Sequence, residues 1–181
     1  MRRDARERRE ALIQAAAECF GRFGYGVALE DIADRAGVGR GTLYRNFKDR
    51  MALTLAIFAR AVDEIGASLD PALSLEQAIT NMVLKGAKAS ALFSRLAFEM
   101  PLDADNRAAF ELLKSRLVEL VQPFVDEAHA DGRLRPGVTA EQIVLSMRMI
   151  SGLLLPNLCE EDVRAQIAEA LDLILEGLRP R

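Results

Sequence analysis

A chain of 181 residues, half of them hydrophobic, is long enough for one or two small domains around a substantial core. Its 12 Gly and 6 Pro are too few for a disordered or fibrous protein. The net charge of −3 hides a polarity: residues 1–50 carry 11 Lys/Arg against 8 Asp/Glu, and residues 51–181 carry 13 against 19. A basic head on an acidic body fits a nucleic-acid-facing end whose other end has a different task.

The first ten residues are charged, with Arg2, Arg3, Arg6, Arg8 and Arg9 among Asp4, Glu7 and Glu10. Two readings stand side by side, a solvated helix start or an arm reaching phosphate or the minor groove. From Arg6 a helix is predicted to Phe23, with Leu12, Ala16, Phe20 and Phe23 inward and Gly24 ending it. Leu29 to Ala36 follows with Leu29, Ile32, Ala33 and Ala36 at i, i+3, i+4, i+7. Gly37 stands where a helix ends most easily in a left-handed residue, and Val38 is an apolar plug. A further helix runs from Arg40 to Phe47, with Leu43 and Phe47 facing inward. Two short helices joined by a glycine turn make a helix-turn-helix.

The outward face of that second helix reads Gly41, Thr42, Arg45 and Asn46, with Arg40 and Tyr44 on the flank. Arg can bond guanine O6 and N7 together, and a small Gly lets the backbone come close. The Tyr44 hydroxyl suits a phosphate oxygen, and Lys48 and Arg50 add positive charge just beyond. The candidate DNA contacts are therefore Arg40, Gly41, Thr42, Tyr44, Arg45, Asn46, Lys48 and Arg50.

Ile32-Ala33, Ala36-Gly37-Val38, Gly41-Thr42-Leu43-Tyr44 and Phe47 stand in the order of the TetR/AcrR signature, and the chain resembles that family of transcriptional regulators over its first third. Ala28 departs from the Ser or Thr that usually caps the first helix of the motif, and Gly39 from the usual Ser. Asn46 stands where an aromatic or His is common, and Met51 where Glu is. The resemblance implies a homodimeric repressor released from its operator by a small molecule.

Asp49 is placed to cap the next helix, which runs without a break to about Leu69 and forms a rigid connector. Asp70-Pro71 stops it. Ser74-Leu-Glu-Gln77 is a capping box opening a helix from Leu75 to about Ser90. An Ala/Phe/Leu segment follows to Met100, ended by Pro101. Asp105 to Ala130 reads as a long helix with Phe110, Leu113, Leu117, Leu120, Val121, Phe124 and Ala128 on one stripe. Thr139-Ala-Glu-Gln142 is a second capping box, opening an apolar helix to about residue 155, and the last helix spans Glu160 to Leu178. No segment alternates with period two, so about nine helices and no sheet are expected.

Cys19 and Cys159 are far apart, with no CxxC, and His129 is the single histidine, so no metal site or cofactor is expected. Cys19 lies in a helical stripe and reads as a reduced core thiol. No Ser/His/Asp arrangement exists, which sets enzymes aside. The N-terminus has no apolar signal region, and the longest uncharged run, Met149 to Cys159, is too short to span a bilayer, so a cytoplasmic location is expected. Arg148 interrupts an apolar run, where a charge needs a carboxylate partner or an anionic ligand. Met82, Phe93, Phe98, Met100, Phe110, Phe124 and Met147 are candidates to line an effector cavity, with Arg148 orienting the guest if it turns inward; plain core is the alternative.

The sequence thus predicts an all-α protein: a helix-turn-helix head over 1–48 on an effector-binding and dimerisation body over 49–181, paired through its last two helices. Its partners would be a double-stranded DNA operator and an apolar or amphipathic effector. The rival reading is a helical adaptor or small-molecule carrier that does not bind DNA.

Overall fold

A computed structural model describes residues 2–99, 103–151 and 160–180, and the side chains of these apart from 2, 87–88, 90–99, 151 and 160–164. Eight helices make up the described residues: α1 (Arg2–Phe23), α2 (Leu29–Arg35), α3 (Arg40–Asn46), α4 (Arg50–Ser68), α5 (Leu75–Glu99), α6 (Ala104–Ala130), α7 (Ala140–Ser151) and α8 (Glu160–Leu178). None of the described residues is in a strand.

Local chemistry sets most of the ends. Both capping boxes form reciprocally. Ser74 N–H donates to Gln77 Oε1 at 3.0 Å and Gln77 N–H to Ser74 Oγ at 3.3 Å, and Thr139 and Gln142 repeat the exchange at 3.1 and 3.4 Å. Asp49 caps α4 by accepting from Ala52 N–H at 2.7 Å. The turn between α2 and α3 depends on Gly37, whose φ of 67° is open to glycine at little cost. Its N–H reaches Asp34 O at 3.1 Å, and Val38 N–H reaches Ala33 O at 3.0 Å, closing the last carbonyls of α2.

Two apolar cores result, and α4 belongs to both. Leu12, Ala16, Phe20, Ile32, Leu43 and Phe47 of α1 to α3 pack with Leu53, Ala56 and Ile57 of α4. On the opposite side of α4, Met51, Leu55, Phe58, Val62 and Ile65 join the body core made with α5 to α8. The head's packing thus runs past residue 48 as far as Ile57. Along the body face of α4, Gly66 admits Leu120 of α6, whose Cδ2 would lie 3.1 Å from an added Cβ.

Four expectations need correction. α1 begins at Arg2 rather than Arg6, and Arg3 pairs with Glu7 one turn on at 2.9 Å, so these residues form helix and not an arm. Phe23 is exposed, with the Arg22 guanidinium 5.2 Å from its ring centroid. The segment after Ser90 is no separate helix, because its Ala- and Leu-rich sequence holds no proline or cap to interrupt α5 before Glu99. α6 starts earlier than Asp105: Asp103 is its cap, accepting from Asn106 N–H at 2.8 Å. The proposed stop at Pro101 and the turn at Pro156-Asn157 lie outside the described residues, as do Met100 and Cys159. Cys19 is buried in the head core.

A side chain at position 37 would meet no neighbour, so its cost lies in the backbone alone. Gly37→Ala should therefore lose about 1–2 kcal/mol, lowering the thermal midpoint by roughly 2–8 °C for a chain of this size. Scanning calorimetry reads the shift directly.

Candidate nucleic-acid interface

The turn at Gly37 and the burial of Leu43 and Phe47 fix which side of α3 faces out. Arg40, Gly41, Tyr44 and Arg45 are exposed, spaced as one helical stripe. Thr42 and Asn46 are only half-exposed, at the shoulder of that stripe and not at its centre. Successive residues turn by about 100°, which leaves Asn46 roughly 60° from buried Leu43. The Asn46 amide donates to the Thr42 carbonyl at 2.7 Å, and the Thr42 hydroxyl accepts from Arg45 Nη2 at 3.1 Å. Thr42 therefore holds the Arg45 guanidinium along the helix surface.

The flanking groups have carboxylate partners. The Tyr44 hydroxyl donates to Glu30 Oε1 at 3.1 Å. That bond is the largest influence raising the Tyr44 pKa, so the hydroxyl stays a neutral donor at ordinary pH. The Lys48 ammonium pairs with Asp103, the cap of α6, at 2.7 Å and with Asp105, on its first turn, at 2.8 Å.

Arg50 is a correction. It was expected on the DNA side, but its Nη1 donates to the Val27 carbonyl at 2.6 Å and to the Tyr25 carbonyl, and its guanidinium lies over the rings of Tyr25 and Phe20 at 5.0 and 5.8 Å. It closes the loop between α1 and α2 from inside. Sequence spacing gave no sign of this, because its partners lie more than twenty residues earlier. Arg9, not singled out beforehand, covers Phe47 at the end of α3, 5.0 Å from the ring centroid. Ala28 and Gly39 hold extended cap conformations with no side-chain bond, so neither helix of the motif has a side-chain N-cap.

In the body, Met82, Phe124 and Met147 are buried in one apolar core and Phe110 packs against it. The side chains of Phe93 and Phe98 lie outside the described residues. Arg148 does not turn inward: it is exposed, with its guanidinium 5.2 Å from the Phe110 ring centroid and near enough to Glu111 to help the Lys114 hydrogen bond lower that carboxyl's pKa. A cleft of about 330 Å³, lined by none of these residues, opens among Leu75, Glu76, Leu134, Leu175, Leu178 and Arg179. His129 Nε2 donates to the Val138 carbonyl at 2.8 Å, and no group of three possible metal ligands occurs among the described residues. No helix among them is long and apolar enough to cross a membrane.

A short helix presented outward by a glycine turn, with basic and small residues on its exposed stripe, defines a helix-turn-helix DNA-binding protein. Residues 12–57 match the family of bacterial regulatory proteins of the tetR type. A TetR transcriptional regulator from Streptomyces coelicolor superposes with a TM-score of 0.57 at 29% identity, over 95% of this chain and 98% of that one. The transcriptional regulator SrpR of Pseudomonas putida is 28% identical over 180 residues, covering 91% of this chain and 81% of SrpR. The transcriptional activator FasR of Mycolicibacterium smegmatis is 43% identical over 68 residues, 37% of this chain but only 31% of FasR. The head is thus a helix-turn-helix of the tetR type, and the likeness over most of the chain to TetR-type regulators supports a DNA-binding transcriptional regulator of that kind. These relatives are regulators, not enzymes, and the adaptor reading falls with that assignment. The matched span, 12–57, coincides with the head core, which begins at Leu12 and ends at Ile57.

Gly41 and Arg50 separate folding from binding. Gly41 lies inside α3 with open space around it, so Gly41→Ala should stabilise the helix by up to about 1 kcal/mol while weakening DNA binding, if the backbone there approaches a base or phosphate. Arg50→Met should do the reverse, lowering the thermal midpoint with little change in sequence preference. Melting curves and duplex titrations on the two variants would show the opposite signs.

Proposed function

We propose that residues 1–48 carry the operator-reading surface and residues 49–181 bind an effector and form the dimer, and that the protein is a repressor released by a small apolar or amphipathic molecule. The observation that carries the reading is the exposed stripe Arg40, Gly41, Tyr44 and Arg45 on α3. Arg45 is the base reader, with Arg40 beside it; Thr42 and Asn46 border the groove, and Tyr44 and Lys48 take phosphates.

Dimerisation through α7 and α8 is supported by Leu145, Met149 and Leu173, large apolar side chains left exposed on those two helices. A self-complementary two-fold pairing would cover them and place two recognition helices roughly 34–36 Å apart on a near-palindromic operator. The effector would enter the body core near Met82, Phe110, Phe124 and Met147, with Phe93 and Phe98 on α5 as further contacts. Arg148, at the outer edge of Phe110, would meet only a polar end that reaches the surface. Such a guest acts by binding unequally to forms with different head spacing, which frees the operator when the ligand is present.

Selection of bound duplexes from random sequence, followed by titration, tests the reading. Arg45→Ala should cost about 1–3 kcal/mol at one base pair and relax preference there. Tyr44→Phe should weaken all duplexes alike. Phe110→Trp should blunt release by apolar compounds while leaving operator affinity largely intact. A stable monomer in sedimentation at micromolar concentration, or a selected site with no two-fold character, would defeat the dimer reading.

A further inference from the structure

Lys48 and Asp49, just beyond the recognition helix, are both tied to the start of α6. Lys48 Nζ lies 2.7 Å from Asp103 Oδ2 and 2.8 Å from Asp105 Oδ2. The adjacent Asp49 accepts from Nδ2 of Asn106 at 3.1 Å, while its other oxygen caps α4. Asn106 is only 5% exposed, so this bond satisfies a buried polar group and not a loose surface contact. The start of α6 is thus clipped to the exit of α3 by two ion pairs and one hydrogen bond from a buried amide.

A carboxylate and a phosphate offer the same chemistry to an ammonium, an anionic acceptor oxygen. A DNA phosphate brought to Lys48 while both aspartates stayed in place would crowd three anionic groups around one cation. The like charges favour exchange over sharing.

We propose that Lys48 is an exchangeable cation, held by Asp103 and Asp105 at the start of α6 in the unbound protein and transferred to a backbone phosphate on DNA, so that operator binding breaks the ion-pair half of the clip and leaves the Asp49–Asn106 bond in place. The inference rests on the reading of Lys48 as a phosphate contact. The carboxylates hold its pKa well above the ordinary lysine value, Asp103 first and Asp105 second, so the exchange moves a permanent charge and no proton. Because coupling is reciprocal, whatever tightens the clip weakens DNA binding by the same factor. All three side chains of these ion pairs are solvent-exposed, so the exchange sets affinity within a several-fold range and does not act as an all-or-none switch.

The test is a double-mutant cycle read by fluorescence anisotropy, using a duplex recovered by selection from random sequence. The proteins are wild type, Lys48→Ala, Asp105→Asn and the double variant. Asp105 is chosen because Asp103 also caps α6. Asp105→Asn should tighten binding about two- to fivefold in wild type, Lys48→Ala should weaken it, and Asp105→Asn should have no effect once Lys48 is gone. Equal tightening in both backgrounds would overturn the proposal, since Asp105 would then merely repel phosphate. No tightening in wild type would overturn it as well. If Lys48→Ala left affinity unchanged, the phosphate-contact reading itself would be wrong, and the exchange would fall with it.

Discussion

The whole molecule depends on α4 being buried on opposite sides. Leu53, Ala56 and Ile57 complete the head core, and Met51, Leu55, Phe58, Val62 and Ile65 complete the body core. A helix held on one face can slide or tilt against its support; one gripped on two cannot, because packed interiors tolerate little change in volume. Gly66 against Leu120 draws α6 close to the far half of α4, and an ion pair of Arg116 with Asp63 joins the same two helices. Any rearrangement among α4, α5 and α6 is therefore felt at the first turn of α4, one residue beyond Asp49.

The recognition helix itself is weak. Seven residues cannot sustain a helix in water, and α3 has no side-chain N-cap. Its geometry comes from outside: Leu43 and Phe47 are buried below it, Arg9 covers Phe47, and Gly37 sets the angle at which it leaves α2. Arg50 closes the loop behind α1 and stacks on Phe20 and Tyr25, fixing the platform on which α2 and α3 sit. The exposed stripe consequently carries little of the packing, and Gly41 and Arg45 stand open to solvent.

Much of this was legible in the sequence wherever a signal is local. Glycine at the end of a periodic run, a Ser or Thr three residues before Gln, and Asp before an apolar stretch each act within one turn of helix, and Gly37, Ser74, Thr139 and Asp49 all behave as their spacing implies. Long-range pairing was not legible. Lys48 meets Asp103 across 55 residues and Arg50 meets Val27 across 23, and no periodicity encodes which distant carbonyl or carboxylate a cation will find. Long flexible side chains are the least predictable for this reason. Asn46 was misjudged on a finer point: a step of about 100° per residue leaves it nearer to Leu43 than to Arg45. The break expected near Ser90 failed because apolar composition alone was read as a boundary, with no cap or proline to enforce one.

The polarity of charge along the chain gains a second meaning from this geometry. A basic head on an acidic body was first a pointer to nucleic acid, and the match of residues 12–57 to the tetR-type regulators supports that pointer. Yet the acidic body also supplies ion-pair partners to the head: Asp103 and Asp105 face Lys48. Within the head, Glu18 pairs with Arg35, and Glu30 accepts from the neutral Tyr44 hydroxyl. An interface that must bind phosphate, and must let go of it, is better served by cations with an alternative anion nearby than by cations facing only water. At Lys48 the contact proposed with DNA would then replace one lost in the protein, and its net gain stays small. Affinity becomes a difference between two similar sets of contacts, which a modest shift of α6 is enough to tip.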